Sequence, residues 1–267
     1  MSEEELQDKE MSFWEHLAEL SIRLRRIIIV VFVLTFIFMM IPSTLDTNSF
    51  TPLISGDWME YRPLVAGILD RVRSDLLPTN ATRLISLQFG NPITIYIEAS
   101  ILLAIIVSLP YIAYEIYMFI APGLYPHEKK FIKSFIFSFS FLFVLGVVYG
   151  YYLIMPLTFQ ILIYFAVILG SEQLFDIADF YHLTFLGLAL TGFFFTIPVF
   201  LVLAMKFGVI SPETLVKNKR YIYVGLFVVT AIVTPDPTPV SMILLSLPFI
   251  VFYEVSLVIG KRVAPKD

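Results

Sequence analysis

The sequence predicts an all-α polytopic membrane protein with six transmembrane helices, and three observations lead there. Hydrophobic residues make up 58% of the chain and charged residues 15%, with a mean hydropathy of +0.84, more apolar surface than a soluble domain of 267 residues can hide. The apolar residues come in runs separated by short polar breaks, of which Ile120-Ala121-Pro122-Gly123-Leu124-Tyr125-Pro126-His127-Glu128-Lys129-Lys130-Phe131 is the sharpest. Such a backbone cannot satisfy itself in lipid and must face water. Finally, fourteen of the 18 lysines and arginines fall on one side of the resulting helices and four on the other, which sets both termini in the cytoplasm of a multi-pass cell-membrane protein.

The chain reads as a single integral-membrane domain over 1–267. Its acidic start, Ser2-Glu3-Glu4-Glu5, predicts no cleavable signal peptide. Residues 11–26 form a cytoplasmic amphipathic helix, with Ser12 and Glu15 at capping-box spacing. Leu17, Leu20 and Leu24 lie on one face, and His16, Glu19 and Arg23 on the other. A helix of this kind lies along the membrane surface, with Arg23, Arg25 and Arg26 marking the edge of a first span over 27–41. Residues 43–86 are the one sizeable hydrophilic region and form an extracytoplasmic cap. Within it Val65, Ile68, Leu69, Val72 and Leu76 recur at helical spacing, predicting an amphipathic helix from about Glu60 to Leu77.

The second span, 93–119, is longer than a ~30 Å hydrocarbon core requires and is kinked by Pro110. After the 120–131 break comes a third span over 132–155. Its Gly146 and Gly150 have the spacing that allows close helix contact, and Pro156 ends or bends it. The apolar piece 157–169 is too short to cross alone and is placed outside with the acidic Glu172, Asp176 and Asp179. A fourth span covers 181–205. Ser211-Pro212-Glu213 opens a short cytoplasmic helix, and spans over 221–233 and 241–259 complete the chain. Thirteen residues cover only ~20 Å, so the fifth helix stops short of the outer surface or sits where the bilayer is thinned.

Enzymatic motifs are absent, and the zero cysteines and three scattered histidines leave no metal centre and no cofactor site in prospect. What remains is a set of isolated acids. Glu128, in the first turn of the third span, satisfies helix-start amides or serves as a receptor carboxylate. Glu19 pairs with Arg23 across one helical turn, ordinary surface chemistry, or is likewise held ready for a ligand. Glu98 lies well inside the second span, where a carboxylate needs a partner, water or a proton, and Glu254 in the last span faces the same alternatives. Glu115, near the cytoplasmic end of the second span, snorkels toward the headgroups.

These pieces match one family. His16-Leu17-Ala18-Glu19-Leu20 with Arg23-Leu24, Phe119 through Tyr125 followed by His127-Glu128-Lys129, Gly146 through Pro156, Ser211-Pro212-Glu213, and Thr234-Pro235 followed by Ser241, Pro248 and Tyr253-Glu254 resemble the TatC family of twin-arginine translocase subunits. The match runs in order from about Ser12 to Gly260. The resemblance implies six helices in a concave, glove-like arrangement. It also implies a non-enzymatic receptor and core subunit that binds twin-arginine signal peptides of folded cargo at the cytoplasmic face. Partners implied are TatA-type single-span subunits, recruited for proton-gradient-driven export, and the lipid bilayer. A homo-oligomer is an open alternative, and no nucleic acid is involved.

On the same resemblance, Glu19 and Glu128 would meet the arginines. Leu17, Leu20, Phe119 and Leu124 would supply apolar contacts, and Thr196 stands at the family's intramembrane partner-contact position; Glu98 and Glu254 join it as candidate intramembrane polar or partner contacts because of their place in apolar spans. Ser21 and Thr196 depart from the family pattern, which has an arginine and an acid or amide there. The 234–239 turn is one residue longer than the common form, and the long 43–86 loop suggests an archaeal-type member. A different class of protein, a secondary transporter of a small solute, is the alternative raised by Glu98, Glu254 and the proline-broken helices.

Overall fold

The computed structural model describes residues 13–43, 61–77, 83–120, 132–170, 174–233 and 238–264. Helix α1 (Phe13–Met40) is followed by α2 (Leu64–Leu76), strand β1 (Arg83–Ile85) and α3 (Asn91–Ile120). Next come α4 (Ile132–Tyr149), a π-helical turn (Gly150–Ile154), α5 (Met155–Ile168) and strand β2 (Leu174–Asp176). The chain ends with α6 (Ile177–Lys206), α7 (Pro212–Lys217), α8 (Lys219–Val233) and α9 (Pro239–Val263). Among the described residues four helices are long and apolar enough to cross a membrane: α3, the run Lys133–Ile168, α6 and α9. Helix α1 carries its apolar stretch behind three arginines, and α8 has 15 residues.

Two predicted breaks are absent. The amphipathic segment and the first span form one uninterrupted helix, because no proline or glycine occurs between Phe13 and Met40 and a change from amphipathic to wholly apolar sequence does not itself end a helix. Residues 13–26 of the amphipathic segment therefore continue the span rather than turning away along the surface. Likewise α4 runs into α5, with Pro156 in the first turn of α5 immediately after the π-helical turn, so 157–169 is a continuation and not a separate outer piece. A π turn frees backbone groups locally, and that looseness accommodates the proline ring without stopping the helix.

Helix α6 is the centre of the molecule, packing against α3, α4 and α9, with half of its most apolar stretch buried. Glycines set the α4/α6 crossing. A Cβ placed on Gly146 would lie 2.6 Å from the Thr191 carbonyl oxygen, and one on Gly192 would lie 2.9 Å from the Phe143 ring. Around that crossing Phe139, Phe143 and Phe195 are almost fully buried, as are Met205 against Gly260 of α9 and Tyr253, whose hydroxyl donates to the Leu215 carbonyl. The amphipathic α2 lies where the spacing of Val65, Val72 and Leu76 predicted, with those three side chains buried. It is fastened by the Tyr181 hydroxyl donating to the Leu69 carbonyl at 2.8 Å and the Tyr151 hydroxyl donating to Asp75 at 2.7 Å. On the same side β1 and β2 pair in parallel, Arg83 opposite Leu174. Asp176 caps α6 through the Ala178 N–H and also accepts from the Asn91 side chain at 3.1 Å. This face is opposite the one that carries Arg23, Lys206 and Lys219.

Candidate functional site

The basic face holds an ion cluster that spans α1 and α3. Glu19 and Arg23 are one turn apart on α1. The Arg23 Nε donates to Glu19 Oε1 at 2.9 Å, while its Nη1 crosses to α3 and donates to Glu115 Oε2 at 3.0 Å. Glu115 also accepts from the Tyr111 hydroxyl at 2.9 Å, and Arg26 Nη1 stands 3.8 Å from it. The side chain of Glu115 is 3% exposed and that of Arg23 15%, so the pair is shielded from the screening that weakens surface ion pairs. Glu115 therefore does not snorkel to the headgroups. It is the buried anchor that fixes Arg23, and through Arg23 it fixes Glu19.

Glu19 is left with work undone. Its Oε1 takes the hydrogen bonds from Arg23, whereas its Oε2 is buried and has no partner among the described residues. A carboxylate oxygen shielded from water and unpaired costs about 1–3 kcal/mol, a penalty that an incoming cationic donor relieves. Apolar surface surrounds it: Leu17 and Leu20 are exposed, and His16 stacks on Phe119 with ring centroids 4.3 Å apart. Leu20, Arg23, Glu115 and Phe119 open a groove of about 790 Å³ that follows α1 and α3 as far as Met39 and Ile97. The structure thus brings together Glu19, Leu20 and Phe119 of the predicted receptor residues, with Leu17 alongside. Glu128 and Leu124 lie outside the described residues.

The predicted intramembrane acids do not join this site or one another. Glu98 Oε1 lies 3.2 Å from His182 Nδ1 at the opposite end of α3 and α6. Glu254 is on the basic side, where both its oxygens accept from Lys219 Nζ at 2.7 Å and one also accepts from the Tyr223 hydroxyl. Thr196 is 2% exposed and donates to the Phe193 carbonyl at 2.7 Å, so its hydroxyl is used within its own helix. The residue missed by sequence reasoning is Glu115, and a signal was present. Tyr111 and Glu115 are one turn apart at the depth where Arg23 and Arg26 enter the membrane, which is the geometry of a charge meeting its partners.

The comparisons with known proteins converge on one family. The family model for Sec-independent protein translocase protein (TatC) matches residues 15–248. The TatC protein of Methanocella arvoryzae is 31% identical over 258 residues, 95% of each chain, and TatCy of Bacillus subtilis is 27% identical over 94% of this chain and 89% of its own. TatC of Halothiobacillus neapolitanus is 31% identical over 69% of this chain, which spans 50% of that relative's length. A crystal structure described as the twin arginine translocase receptor TatC superposes with a TM-score of 0.71 at 26% identity, covering 93% of this chain and 99% of that one. The chain belongs to the TatC family of Sec-independent protein translocases.

Proposed function

We propose that this protein is the receptor and core subunit of a twin-arginine protein translocase. In this reading it is a non-enzymatic plasma-membrane component with six spans and both termini in the cytoplasm. It takes the arginine pair of a cargo signal peptide on its basic face and recruits TatA-type single-span subunits for export driven by the proton gradient. The observation that carries the reading is Glu19: a carboxylate oriented from behind by Arg23, with one buried oxygen unpaired among the described residues and exposed leucines beside it. Arginine is the fitting ligand because its planar fork meets a carboxylate through two bonds, which a lysine cannot imitate. Glu128 supplies the second carboxylate in this proposal.

A signal peptide carrying a photoprobe should label the purified protein next to Glu19, and a twin-lysine version should label it about tenfold less, the equivalent of ~1.4 kcal/mol. Glu19→Gln, which keeps shape and removes charge, should erase the difference between the two peptides. Equal labelling by both peptides in the unaltered protein would sink the proposal. The small-solute transporter gains nothing from the structure, since Glu98 and Glu254 belong to separate clusters in opposite halves of the molecule.

A further inference from the structure

We propose that the basic face carries a site for one anionic phospholipid, between α4, α6 and α9. A cavity of about 350 Å³ opens there, lined at one end by Ser134, Ser138 and Lys206, and further in by Leu142, Pro198 and Val255. Lys206 is the last residue of α6, and Ser134 lies in the first turn of α4, so the polar end sits where headgroups meet the hydrocarbon. From Lys206 to Pro198, and from Ser134 to Leu142, is eight residues of helix. The apolar part therefore runs ~12 Å into the membrane.

Three features select the occupant. The first is charge. The amine of Lys206 is removed from solvent, and the neighbouring helix ends add Lys133 on α4 and Lys261 and Arg262 on α9, with no acid in the first turn of α4 or the last turns of α6 and α9. A basic pocket between spans at headgroup depth attracts a phosphate. The second is hydrogen-bonding capacity. Hydroxyls elsewhere in the spanning helices, such as Thr35, Ser100, Thr184 and Ser246, donate to a carbonyl one turn back, which satisfies them internally. Ser134 and Ser138 line the same cavity as Lys206 and add two hydroxyl donors that can reach phosphate oxygens. The third is shape, because a polar mouth leading to a largely apolar slot matches a phosphate joined to an acyl chain and does not match a free anion.

The site goes beyond the receptor reading and uses from it only the orientation, which makes this leaflet the cytoplasmic one. Its test needs no signal peptide, so failure of either idea leaves the other standing. Native mass spectrometry of the full-length protein released from micelles containing equal phosphatidylglycerol and phosphatidylcholine should show one retained lipid. The anionic lipid should be favoured about fivefold, the preference that one basic residue near a membrane surface confers. Lys206→Gln should reduce the ratio toward one, Lys206→Arg should keep it, and Val255→Trp, which fills the slot, should lower retention of both lipids. A fivefold preference that survives Lys206→Gln, unchanged retention in Val255→Trp, or displacement of the lipid by inorganic phosphate would each overturn the proposal. If Lys206→Gln does not fold, the paired Ser134→Ala and Ser138→Ala substitutions ask the same question: the preference should fall, and its persistence would count against the site.

Discussion

Arg23 touches both Glu19 and Glu115, so its removal separates the support of the site from the site itself. Breaking a shielded ion pair by deleting one partner costs about 3–5 kcal/mol, and Arg23→Gln should fall at the low end because Glu115 keeps Tyr111 and Arg26. Glu115→Gln should cost less, about 1–2 kcal/mol, since an amide still accepts from Tyr111. The double variant should lose less than the sum by about 1–3 kcal/mol, measured by thermal unfolding of the purified protein, and strict additivity would mean the pair carries no coupling. A second residue-scale expectation concerns pH. The hydrogen bond from Tyr151, aided by Arg71, holds the Asp75 carboxyl below its ordinary range. A carboxylate depressed in the folded state stabilises above its unfolded value of ~3.9, and that contribution is lost as pH falls through the lower folded value. Protection factors of the α2 amides, which correct for the intrinsic pH dependence of exchange, should therefore hold from neutral pH down to about pH 5, then fall in stronger acid. In Tyr151→Phe the folded value moves back toward the unfolded one, so protection should be lower at neutral pH and should fall less on acidification, and an identical profile would remove Asp75 as the fastening. The residue types at these positions were legible, but their partners were not. Glu98 announced a need for a partner, yet His182 lies eighty-four positions away, and only packing brings the two together.

Among the elements, the crossing of α4 and α6 depends on backbone approach. The Gly146 and Gly150 spacing marked one side of it in the sequence. The other side, Thr191 and Gly192, carried no comparable repeat, so the partner helix could not be read. Gly146→Val should force the helices apart, with an overpacking cost of about 1–3 kcal/mol and a lowered melting temperature. Gly225 on α8 has open space around it, so Gly225→Ala should be neutral or stabilising by up to ~1 kcal/mol through helix propensity alone. If both substitutions lowered the melting temperature equally, close packing at the crossing would not be the reason for Gly146. Helix boundaries at caps were the most legible, as at Ser211, whose hydroxyl accepts from the Thr214 N–H at 3.2 Å. Continuity was the least legible. Pro156 and the switch at Ile27 look like breaks in one dimension, while neighbouring helices hold both segments in line.

At the scale of the whole molecule, the helices are unequal in a way that the surrounding bilayer must absorb. Helices α3 and α6 have 30 residues each, ~45 Å, whereas α8 has 15, ~22 Å. Glu98 and Glu115, the two acidic residues of α3, are seventeen residues apart. This leaves an apolar band of ~25 Å on that helix, already less than a ~30 Å hydrocarbon core. Lys219 at the start of α8 is anchored by Glu254 on α9, so α8 cannot slide toward the far surface to share the mismatch between both ends. With α8 placed across the bilayer, the lipid beside it is predicted to thin, at a cost of fractions of a kcal/mol per Å that accumulates around the exposed Val224, Val228 and Ile232. Reconstituted into phosphatidylcholine bilayers of graded chain length, the protein should unfold at its highest temperature in lipids thinner than average. Lengthening α8 by one turn of leucines after Val229 should move that optimum toward thicker bilayers by several ångströms, the height of the added turn being ~5.4 Å. An optimum that stays where it was after the insertion would show that α8 does not set the local thickness.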